Sequence, residues 1–149
     1  MPNCYLIFTH IVYAYPRYWA ITYGHPYPDF GYGPGVAYPY SIQITSGGGY
    51  IIVGQAYIPW VLYDLLVLKL DQNGNIEWHR IAISDGFYSW ARAVQLADDE
   101  GYVIAGRKGF WGLSDDFWIL KIDADGNVQW QKAYGSEMAD KAYCLEKNH

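Results

Sequence analysis

The chain has 149 residues, enough for one domain with its own hydrophobic core. Its 16 Tyr, 7 Trp and 16 Gly favour pleated surfaces joined by tight turns over helices. A net charge of -5 argues against a nucleic-acid surface, which needs clustered Lys and Arg, and no apolar run reaches the roughly eighteen residues of a membrane-spanning helix.

The N-terminal stretch MPNCYLIFTHIVYAYP carries no positive charge ahead of its apolar part and is interrupted by Thr9 and His10, so it does not read as a secretory signal. Tyr5 to Tyr13 reads as a strand. Arg17 to Gly24 reads as a second, because Trp19, Tyr23 and Gly24 match Trp130, Tyr134 and Gly135 near the other end; residues 1–24 are therefore expected to be part of a module. Residues 25–40, HPYPDFGYGPGVAYPY, hold four of the seven prolines and are expected to form an aromatic loop, since Pro cannot donate to a sheet ladder.

Residues 41–83 read as a full module of four strands: Ser41 to Thr45, Gly49 to Tyr57, Leu65 to Leu70 and Asn75 to Ala82. Asp71-Gln-Asn-Gly74 is a hairpin signal between the last two, with Gly available for a positive φ. Residues 91–135 repeat the order, with strands at Ala91 to Ala97, Gly101 to Arg107, Phe117 to Ile122 and Asn127 to Tyr134. GGGYIIVG, ending at Gly54, returns as DEGYVIAG, ending at Gly106, and DLLVLKLDQNGNIEWHR from Asp64 returns as DFWILKIDADGNVQWQK from Asp116. The spacing is 52 residues in both cases, so one module has been copied without net insertion. Lys141 to Glu146 matches a first strand, and residues 141–149 would begin a further module. The expected fold is all-β: tandem four-stranded antiparallel sheets forming one repeat domain over residues 1–149.

The pattern D-x-W/L-x-L-K-x-D-x-x-G-N-x-x-W, carried by Asp64, Lys69, Asp71, Gly74, Asn75 and Trp78 and again 52 residues on, together with Gly49-Tyr50 and Gly101-Tyr102, resembles the repeat of bacterial and archaeal β-propeller proteins. The resemblance implies that each module is a propeller blade and, since many such proteins are secreted, an extracellular address. Closed propellers hold about four to eight blades, whereas fewer than three are present here. The expectation is that other copies or other blades complete the array, or that the chain is a fragment of a longer secreted propeller.

The Asp71 to Asn75 and Asp123 to Asn127 stretches offer several oxygens but no bidentate Glu, which suits tight turns better than calcium. Trp19, Trp78 and Trp130 recur at equivalent places and are expected to pack between sheets. Trp60, Trp90 and Trp111 have no repeat partner, and with Tyr27, Tyr32 and Tyr38 they fall in connections; these six are the candidate surface for a carbohydrate or protein partner. Lys69 and Lys121 read as strand residues in a rim ion pair or with their stems along apolar neighbours, Asp64 and Asp116 as fixing the loops that enter the third strands, and Cys4 and Cys144 as buried unlinked thiols, with a disulfide between them the alternative. His10, His25, His79 and His149 show no ligand spacing, and no nucleophile and base can be paired. The expected protein is non-enzymatic, without cofactor or metal, and associates through its incomplete terminal modules with copies of itself or with other blades; a carbohydrate- or protein-binding module using the loop aromatics is the alternative.

Overall fold

The computed structural model describes residues 8–9, 22–23, 37–58, 62–81, 88–109, 115–136, 140 and 142–146. Within them the secondary structure is entirely β. A short antiparallel pair, β1 (Phe8–Thr9) and β2 (Thr22–Tyr23), lies inside the two strands expected of the partial module. Two four-stranded sheets follow. The first is β3 (Ala37–Ile44), β4 (Tyr50–Ile58), β5 (Leu62–Leu70) and β6 (Ile76–Ile81), paired in chain order. The second is β7 (Tyr88–Leu96), β8 (Tyr102–Gly109), β9 (Asp116–Ile122) and β10 (Val128–Tyr134), also paired in chain order.

The 52-residue spacing holds residue by residue in the ladders. Tyr50 pairs with Leu70 and Tyr102 with Ile122; Lys69 pairs with Trp78 and Lys121 with Trp130. Bulges also recur, one at Glu77 and Gln129, the other at Tyr40 and Arg92. Each repeated glycine has a local cause. A Cβ on Gly49 would strike the Leu70 carbonyl, and one on Gly101 would strike the Ile122 carbonyl and the Lys121 ammonium. Gly54 and Gly106 sit against the carbonyls of Tyr38 and Trp90, where the first strand bulges.

Strand β3 corrects the expected loop over residues 25–40, because Ala37 to Tyr40 are already paired with β4. Pro39 is tolerated there because β3 is an edge strand and the ladder bulges beside it. The expected first strand over Lys141 to Glu146 is also corrected: Ala142 to Glu146 have no strand ladder. That tail lies against the second sheet through two hydrogen bonds, Ala142 N to the Gly106 carbonyl (3.4 Å) and Gln95 Nε2 to the Leu145 carbonyl (3.2 Å).

The core lies between the sheets. Ile51, Val53, Leu65 and Val67 project from one face of the first sheet and pack on Tyr102, Ile104, Trp118 and Leu120 of the second. The counterparts of Ile51 and Val67 in the second sheet are Val103 and Ile119, which alternation places on its other face. The two copies therefore stack one way round, each sheet offering a different face. Strand β7 packs across β3, β4 and β5 at this junction. A buried polar link joins them: Ser89 Oγ donates to Asp64 Oδ1 (2.5 Å), and the Leu65 amide donates to both Asp64 and Ser89.

Candidate functional site

The geometry of the intersheet junction centres on Trp78. This residue leaves β6 on the face that meets the second sheet, opposite Lys69. Its indole Nε1 donates to the Ala124 carbonyl (3.1 Å), its ring meets Tyr102 edge-on, and a Cβ on Gly126 would fall 2.9 Å from the ring. Arg80, two residues on, reaches the next carbonyl of the same turn, with Nη2 2.7 Å from the Asp125 oxygen, and its guanidinium lies 5.3 Å from the Trp78 ring centroid. Burial, then Glu77, pushes the Tyr102 hydroxyl above its ordinary pKa.

The grasped turn is rigid by its own chemistry. Gly126 has φ +82°, the Asp123 carboxylate accepts from the amides of Asp125 and Asn127 and from the Asn127 side chain, and the Asn127 hydrogen bond holds its pKa below the usual range. Asp71, Asn75 and Gly74 repeat this arrangement. These carboxylates thus serve the turn, and among the described residues no three His, Cys, Asp or Glu side chains are grouped to hold a metal.

The equivalent face of the second sheet is differently placed. Trp130, counterpart of Trp78, is 44% exposed, and Tyr134 is 51% exposed. This corrects the expectation that the repeated tryptophans all pack between sheets; Trp19 lies outside the described residues. Lys132, counterpart of Arg80, is exposed beside Trp130. Beneath them the Lys121 ammonium is almost fully buried and held by both oxygens of Asp99 (2.8 Å each), by Gln129 Oε1 (2.9 Å) and by the Ile122 carbonyl (3.2 Å). That contact holds the Asp99 pKa down.

A second constellation lies at the opposite ends of the strands. Tyr63 joins Tyr57 (5.4 Å between centroids), Tyr38 (6.5 Å) and, across the junction, Trp90 (6.4 Å). Arg107 lies over the Trp90 ring at 3.5 Å and its Nη1 donates to Asp115 Oδ2, while the Tyr88 hydroxyl donates to Asp115 Oδ1 (2.7 Å). Burial, followed by Asp115, raises the Tyr88 pKa. Among the described residues, Trp90 Nε1 and Arg107 Nε are buried with no hydrogen-bond partner.

Of the six aromatic residues expected to form a binding surface, Tyr38 and Trp90 fall within this constellation, and Tyr27, Tyr32, Trp60 and Trp111 lie outside the described residues. Neither Tyr38 nor Trp90 is in a connection. Both are strand residues, Tyr38 on β3 and Trp90 on β7, and they are repeat partners 52 residues apart, paired with Gln55 and Arg107. Tyr63 and Arg107 were not among the candidates; the signal for them was their place across the ladder from Tyr57 and Trp90. Cys144 is an exposed free thiol, not a buried one, and Cys4 lies outside the described residues. A scan of protein-family models finds none that matches the chain, and a search of curated proteins finds no match.

Proposed function

We propose that the chain is a non-enzymatic interaction protein of β-propeller-like blades, which associates with copies of itself or with other blades through the outer face of its second sheet. One observation carries this reading: Trp78 is clamped by the neighbouring sheet, whereas Trp130 at the identical place in the copy is exposed together with Tyr134. Exposed aromatic side chains grouped on one sheet face are a feature of interaction surfaces, where Trp and Tyr are the favoured anchors. Light scattering coupled to size exclusion, run over a range of concentrations, tests it. The expected result is a mass that rises above the 17.1 kDa of one chain. A mass of one chain at every concentration, with no blade-type partner bound, would count against it.

The second reading is carbohydrate binding by the Tyr38, Tyr57, Tyr63 and Trp90 rings. Its support is the contiguity of those rings and the 42% exposure of Tyr38. Glycan-array binding lost on Tyr38→Ala would favour it over the first.

A further inference from the structure

Resting on the reading of the second sheet's outer face as a blade interface, we propose that Trp130 and Lys132 form a receptor for one specific element: a D-x-x-G-N β-turn carried on a separate blade-type polypeptide. The existing junction shows what such a receptor does. Trp78 and Arg80 take two successive carbonyls of the turn, those of Ala124 and Asp125, and the indole ring occupies the space left by the missing Cβ of Gly126. Trp130 and Lys132 stand two residues apart on β10 as Trp78 and Arg80 do on β6, each Trp opposite a buried Lys in the same register. The donors are thus repeated: an indole N–H and a cationic side chain.

Three features define the partner. It must present two adjacent free carbonyls, which a tight turn does and a strand interior does not. The residue after them must be Gly, both for its positive φ and because a Cβ would meet the indole. Its charge must suit Lys132, and a turn of the sequence Asp123-Ala-Asp125-Gly-Asn127 carries two carboxylates. The chain's own tail already lies on this sheet through Gly106 and Gln95, so the face accepts polypeptide.

The test is an NMR titration of the 15N-labelled full chain with an unlabelled peptide of the sequence Leu120 to Trp130, closed through cysteines added at its ends because an open hairpin is marginal in water. The Trp130 indole signal is identified by its loss in Trp130→Ala. We expect that signal to shift saturably with peptide, and Gly126→Ala in the peptide to abolish the shift. Lys132→Glu in the chain should weaken binding about tenfold, the worth of one charge-assisted hydrogen bond, with Lys132→Arg retaining it. A signal unmoved by a peptide whose own amide shifts show the turn formed, or moved equally by the Gly126→Ala peptide, overturns the proposal. The broader reading is separable: a chain that associates in solution yet ignores the peptide removes the turn receptor alone, and one that stays monomeric yet takes the peptide removes self-association alone.

Discussion

The Asp123 carboxylate accepts three hydrogen bonds within a five-residue turn, and the Asp71 carboxylate accepts the equivalent three in the other copy. Both carboxylates are thereby held below the ordinary Asp value of 3.8, the Asn side chain being the largest cause. A depressed folded pKa means that the ionised form is favoured by folding, so the stabilisation is complete above pH 3.8 and is lost as pH falls through the folded values. Urea unfolding followed from about pH 5 to about pH 2 should therefore show an acid decline that is shallower in an Asp71→Asn, Asp123→Asn double variant than in the parent. Parallel declines would contradict the assignment. The turn itself was legible in the amino-acid string, since Asp, Asn and Gly at these offsets have few other uses. One residue defies that logic: Glu100 adopts φ +62° at the place where the first copy has Gly48 at +79°, so the second copy holds by its surroundings a conformation that the first obtains from residue choice.

At the scale of elements, strand identity followed from the 52-residue spacing because each copy repeats the same apolar runs and turns into its last strand at an equivalent glycine, Gly74 or Gly126. The beginning of β3 did not. Pro39 reads as a breaker when considered locally, and only its place on a sheet edge beside a bulge makes it compatible with pairing. That misplacement also concealed the partnership of Tyr38 with Trp90, and with it the aromatic constellation around Tyr63. Asp64 was expected to order the loop entering its strand; instead it lies 1% exposed on β5 and ties that strand to β7 through Ser89. Substituting Ser89→Ala removes an O–H donor from a buried carboxylate and should cost about 1–3 kcal/mol in a denaturant titration. A loss within about 0.5 kcal/mol, as at an ordinary surface position, would mean that the link contributes nothing to the junction.

For the whole molecule, the decisive property is directionality. The first sheet gives one face to the junction and the second gives the other, so the contact generates a series and has no twofold relation that would end it. Propeller blades and solenoid repeats grow by the same logic, each unit burying a face it cannot bury alone. The sequence pattern disclosed the copying, but not which face of each sheet meets its neighbour, because a strand buried on both sides is a nearly continuous apolar run; Leu65 to Leu70 contains no alternation to read. The Trp78 contact resolves that ambiguity, since it places the end of one module on the turn of the next. A nuclear Overhauser measurement between the Trp78 ring protons and the Gly126 α-protons tests it most directly. A strong effect is expected there; a Trp78 ring that shows none, or that contacts the opposite face of the second sheet, would overturn this stacking.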